Sequence, residues 1–150
     1  MPLKIGEVIM SETLKLFSQE FETIKDSGYL KSDTLKGAYL IGAYAKAIID
    51  SSFNPNGKVV SKNETFKKWL SNQQIIQNNL KRIFNKANEF ERKFQLTTQR
   101  NSDLSTLVTT YFKEDSREKV AQQEVSFAFI RGFNDYAQFK KNNPYQGEEE

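Results

Sequence analysis

Apolar positions recur at helical spacing along nearly the whole chain. Leu14, Phe17, Phe21 and Ile24 step by three and four, with Val8 and Ile9 extending the stripe upstream, which predicts an amphipathic helix over about 4–26. Asp26-Ser27-Gly28 stops it. A second helix opens at Ser32 or Asp33, either of which offers an oxygen to a first-turn amide, and runs to about Asp50. Its expected buried face is Leu35, Ala38, Tyr39, Gly42, Ala45 and Ile49. Small residues at 38, 42 and 45 admit a close neighbour, so this helix is expected at the centre of a bundle.

Asn54-Pro55-Asn56-Gly57 is a turn cluster, and the irregular connection continues to Lys62. Ser61-Lys62-Asn63-Glu64 has the spacing of a capping box and opens a short helix carrying Phe66, Trp69 and Leu70. Ile76, Leu80, Ile83, Ala87, Phe90 and Phe94 then alternate steps of four and three, which predicts a long helix over about 73–95 with a narrow apolar seam. After a polar break at 97–101, Ser102 or Asp103 caps a shorter helix presenting Leu104, Leu107, Val108 and Tyr111. A last helix over about 116–141 spreads Val120, Phe127, Ala128, Ile130, Phe133 and Phe139 over more than one face. The expected fold is all-α, a bundle of five or six helices forming a single domain over 1–141, with a flexible acidic tail at 142–150.

Composition narrows the chemistry. The 150 residues include no cysteine and no histidine, which removes thiolate nucleophiles, disulfides, Cys/His zinc cages and imidazole bases. Twelve Phe, six Tyr and one Trp are too many for a disordered chain. Asn56-Gly57-Lys58 lacks the first glycine and the following hydroxyl residue of a phosphate-binding loop, and no serine sits in a nucleophile elbow. Glu20/Glu22 and Glu89/Glu91 are two residues apart, so on helices each pair points to different faces. These absences point away from an enzyme, and neither a catalytic residue, a metal, a cofactor nor a small-molecule substrate is expected. The N-terminal residues do not read as a secretory signal, and the longest nearly apolar stretch, 37–45, is far short of the ~20 residues that span a bilayer. A cytoplasmic protein without membrane contact is expected.

Charge is unevenly distributed. Lys plus Arg against Asp plus Glu is 4 against 6 over residues 1–35, 12 against 4 over 36–100, and 6 against 9 over 101–150. The overall charge of +3 therefore conceals a strongly basic middle segment, suited to a polyanion. Within it, Arg82, Lys86 and Lys93 fall within about 40° of one another on the long helix, in a stripe roughly 16 Å long. Lys81 and Arg92 flank the other side, with Asn78 and Asn85 between the two rows. Lys62, Lys67 and Lys68 precede the helix and Arg100 follows it. These nine cations are the candidate nucleic-acid-binding residues, because cations interspersed with amides suit phosphate contact that positions a strand without reading its bases. The competing reading is a solvated face, with Glu89 paired to Lys86 or Lys93.

Two segments carry a family resemblance. Lys36-Gly-Ala-Tyr-Leu-Ile-Gly-Ala-Tyr-Ala-Lys-Ala-Ile resembles the small-residue helix in the C-terminal helical region of type I-B CRISPR large subunits, part of the Cascade interference complex. Gln122-Gln-Glu-Val-Ser-Phe-Ala-Phe-Ile-Arg-Gly-Phe-Asn-Asp-Tyr is similar to the closing helix of that region. The resemblance covers about residues 35–141, including the order of short, long and short helix between the two segments. In that family the region is also made separately from an internal start codon, as the small subunit, and a free chain opening with its own Met fits that arrangement. The resemblance implies a non-catalytic subunit present in several copies. Its implied partners are the large subunit, the backbone subunits, further copies of itself, guide RNA and target DNA. Sequence recognition then belongs to guide-target pairing, and the protein contacts backbones and the displaced strand. The alternative is a helical adaptor that touches only protein, with the multi-faced last helix as its interaction surface.

Overall fold

The computed structural model describes residues 21–22, 30, 32–51, 61–96, 98–113 and 119–142, with the side chains of 61–65 outside that description. Among these residues the chain forms five α-helices and one 3-10 turn, with no strand: α1 (Asp33–Asp50), α2 (Ser61–Ser71), the turn (Gln77–Asn79), α3 (Leu80–Lys93), α4 (Gln99–Tyr111) and α5 (Gln122–Asn142). The expected all-α bundle is the observed architecture.

Ser32 begins α1 as its sequence position implies: its backbone is extended (φ −124°, ψ 156°) and its hydroxyl accepts from the Leu35 amide at 3.0 Å. Beyond the expected face, Leu40, Ile41, Ala43, Tyr44 and Ile48 are also fully buried, while Ile49 is only partly so. A helix apolar around most of its circumference must be enclosed, and α1 packs against every other described helix.

Its tightest neighbour is α5. A β-carbon placed on Gly42 would lie 2.1 Å from the Phe129 carbonyl oxygen, and one on Gly132 would lie 1.9 Å from that of Tyr39. The two backbones therefore touch, each glycine against a carbonyl of the opposite helix. Eight residues beyond each glycine, Asp50 meets Lys140 at 3.2 Å, so both helices advance in the same direction from the contact. Tyr39 closes this seam by donating its hydroxyl to Asp135 Oδ2 at 2.7 Å.

The long helix expected over 73–95 is shorter. Ser71 Oγ and Asn72 Nδ2 donate to the Lys68 carbonyl at 2.7 and 3.2 Å and finish α2. Ile76 is extended (φ −129°, ψ 164°), and α3 starts only at Leu80. Local amides divert the chain there: Asn79 Nδ2 donates to the Gln74 carbonyl, and Gln77 bridges Thr34 Oγ1 and the Val120 amide. The α3 seam is also wider than expected, with Phe84 and Glu91 buried beside Leu80, Ile83, Ala87 and Phe90. Glu91 accepts the Tyr44 hydroxyl hydrogen bond, and burial, reinforced by this carboxylate, pushes the Tyr44 phenol far above its usual range.

The cap of α4 is Thr98, not Ser102 or Asp103: its Oγ1 accepts from the Asn101 amide at 3.1 Å. The helix consequently begins inside the expected polar break. Buried Asn101 anchors it, donating to the Leu96 carbonyl at 2.7 Å and to Ser51 Oγ at the end of α1 at 3.0 Å. The last helix begins at Gln122, and residues 119–121 ahead of it are not helical. Of the expected N-terminal helix, Phe21 and Glu22 are helical. Phe21 is 1% exposed, its ring 5.5 Å from Tyr39 and 5.1 Å from Tyr111, and Tyr111 donates to Glu22 at 2.7 Å. The remainder of 4–26, the turn at 54–57, the expected start near 116 and residues 143–150 of the expected tail lie outside the described residues, while Asn142, expected as the first residue of that tail, closes α5.

Candidate nucleic-acid interface

The outer face of α3 and the end of α2 form an open cleft of about 490 Å³, lined by Trp69, Asn78, Lys81, Arg82, Asn85, Lys86 and Glu89. The apolar seam of α3 faces the core, which leaves the two basic rows and the amides between them directed outward together. Three cations in the cleft stand against one carboxylate. That carboxylate pairs weakly: Glu89 lies 3.9 Å from Lys86, beyond hydrogen-bonding distance. The Lys86 ammonium instead sits 5.5 Å from the Trp69 ring centre and 6.0 Å from that of Phe90, and the Arg82 guanidinium is 6.0 Å from Trp69.

The nine candidate cations divide into distinct groups. Lys81, Arg82 and Lys86 share the cleft. Arg92 and Lys93 are exposed in the last turn of α3, where they also complement the negative end of the helix dipole. Arg92 Nε donates to the Asn88 carbonyl at 3.4 Å, and Lys93 lies 5.6 Å from the Phe94 ring. Lys67 and Lys68 are exposed on α2, and Lys62 lies on the same helix with its side chain outside the description.

Arg100 does not join them. It is 0% exposed, in the first turn of α4, with its guanidinium 5.5 Å from the Phe139 ring. The earlier start of α4 rotates this residue into the core, so its charge works inside the protein and not on the basic face. Conversely, Trp69, expected as one of the apolar residues of α2, is half-buried at the cleft wall, while Phe66 and Leu70 take the core positions. Flanking Lys67 and Lys68 were the only sequence signal for this placement.

A second recess of about 330 Å³ is lined by Lys46, Asp50, Ala137, Lys140 and Lys141. Asp50 lies 3.0 Å from Lys46 and 3.2 Å from Lys140, so two of the recess's three lysines are held in close ion pairs, unlike Lys86 at 3.9 Å from Glu89 in the first cleft. On the outer face of α5, Phe127 is 64% and Ile130 47% exposed. Among the described residues no group of three or more potential metal ligands is assembled, and no helix is long and apolar enough to cross a membrane. No family model matches this chain, and no significant match emerges among curated proteins or solved structures.

Proposed function

We propose that this protein is a non-catalytic helical subunit of a CRISPR RNA-guided DNA surveillance complex of the type I-B Cascade kind, holding guide RNA, target DNA and the displaced strand by sequence-independent backbone contacts. The observation that carries the nucleic-acid part is the cleft, where Lys81, Arg82 and Lys86 converge with Asn78 and Asn85 on one outward face. Cations and amides on a rigid helix hold phosphates without reading bases. The assignment to a Cascade complex rests on the two resembling segments, which coincide with α1 and the first part of α5. Exposed Phe127 and Ile130 support a second role for α5 as a protein-contact face, as an assembly subunit or a protein-only adaptor needs.

The test is fluorescence anisotropy with labelled oligonucleotides between about 50 and about 200 mM salt. Binding should be indifferent to sequence and fall steeply with salt. Combined Arg82→Glu, Lys86→Glu and Lys93→Glu replacement should remove most of the affinity and flatten the logarithmic salt slope by about 2–3. Unchanged binding by this variant eliminates the surface. Co-purification with an RNA-containing multisubunit complex supports the Cascade assignment; a stable pair with a protein and no RNA supports the adaptor.

A further inference from the structure

We propose that the α2–α3 cleft seats one unpaired nucleotide, so that the protein prefers single strands to duplex. This rests on the nucleic-acid reading and adds to it. A convex helix face suffices for duplex phosphates, yet here the cations line a concavity with an aromatic wall, within the size range of small-ligand clefts. Trp69 is the only tryptophan of the chain and is half-buried, with its orientation set by buried Phe66 stacked at 6.1 Å and 18°. A duplex keeps its bases stacked internally and offers such a ring nothing, whereas an unpaired base presents a flat face to it. Arg82 and Lys86 now lie over the indole on long side chains able to swing toward a phosphate and leave the ring to a base. Asn78 and Asn85 are exposed on the same wall, with amide donors for phosphate oxygens and acceptors for sugar hydroxyls, which leaves the stacked base unread.

The single tryptophan makes the seat observable in the intact chain. Unstructured oligo-dT and oligo-rU, duplexes of equal phosphate number, and a polyglutamate peptide of equal charge are titrated while Trp69 emission and anisotropy are recorded. The expected result is quenching by either single strand, little quenching by duplex, and none by polyglutamate. Trp69→Leu should weaken single-strand binding at least about fivefold and leave duplex binding within about twofold. If Trp69→Leu lowers the melting temperature, Trp69→Phe is measured beside it, both well below their unfolding transitions, and single-strand affinity should fall in the order Trp, Phe, Leu while duplex affinity stays level. Equal binding of single strand and duplex with unchanged Trp69 emission overturns the nucleotide seat while leaving backbone binding intact. Polyglutamate quenching as strong as that by oligo-dT also overturns the seat, since charge alone would then suffice. Failure of every nucleic acid to bind overturns both the seat and the proposed function.

Discussion

Gly132→Ala is the sharpest test of the packing. The added methyl would lie 1.9 Å from the Tyr39 carbonyl oxygen, 2.7 Å from its carbonyl carbon and 3.0 Å from its Cα. All three atoms are backbone of a buried helix, so none can rotate aside. Since ordinary contact begins near 3.4 Å, α1 and α5 must part by about 1.5 Å, enough to forfeit much of the dispersion attraction along their seam. Overpacking usually costs about 1–3 kcal/mol; with only backbone to yield, a gross cost of about 3–5 kcal/mol is expected. The better helix propensity of alanine offsets about 1 kcal/mol, leaving a net loss of roughly 2–4 kcal/mol. For a domain of this size that lowers the melting temperature by roughly 5–15 °C. Urea unfolding followed by far-ultraviolet circular dichroism measures it. Gly37→Ala is the internal comparison: its methyl would meet Phe112, 2.4 Å from Cδ1 and 3.0 Å from Cβ and Cγ, where the partly exposed ring can rotate away and Cβ need yield only by a few tenths of an ångström. A loss under about 1 kcal/mol is expected there. Gly42→Ala should resemble Gly132→Ala, and the double variant should cost less than the sum, because helices already parted accept the second methyl more easily. A Gly132→Ala protein as stable as the parent, or less affected than Gly37→Ala, refutes the backbone contact.

Other consequences are open to measurement. Tyr44→Phe withdraws the hydroxyl from buried Glu91 and should cost about 1–3 kcal/mol in urea unfolding. The same pair sets an alkaline limit: the Tyr44 phenol keeps its proton in the fold, so above about pH 10, where an unfolded tyrosine releases its own, unfolding is favoured. Stability should therefore be fully present below that pH and decline above it, with a shallower decline in Tyr44→Phe. Thr98→Ala should lose about 1 kcal/mol as the true cap of α4, whereas Ser102→Ala, at an exposed position, should stay within about 0.5 kcal/mol. Arg100→Ala should destabilise the fold by about 2–4 kcal/mol through lost packing, without weakening oligonucleotide binding by the folded fraction.

Helical periodicity carries local information, and the errors fall where distant residues intervene. The start of α1 at Ser32 follows from a capping residue followed by an apolar run, both local. Residue type alone does not single out Thr98, because Ser102 and Asp103 are equally capable caps. Asn101, tied to Leu96 and Ser51, selects between them, and Ser51 is fifty residues away. The missing first turns of α3 have a similar origin, since Gln77 is engaged by Thr34 and Val120 from other parts of the chain. Within the candidate site, the two basic rows and the amides between them were legible because a helix fixes the angular order of its own residues. Trp69 and Arg100 were not, since each could face the core or solvent until its neighbouring helix was placed.

The amino-acid sequence by itself determined an all-α chain without cysteine or histidine chemistry, a small-residue helix able to sit at the centre, and a basic stripe on the helix carrying Arg82 and Lys86. Spacing, residue type and charge suffice for these, as each depends on positions within a few turns of one another. Tertiary structure alone decided that Gly42 and Gly132 meet opposite carbonyls, that Arg100 lies against Phe139, and that Trp69 turns the basic stripe into a cleft. Each joins different helices, and no periodicity within one helix specifies which face of another it will meet.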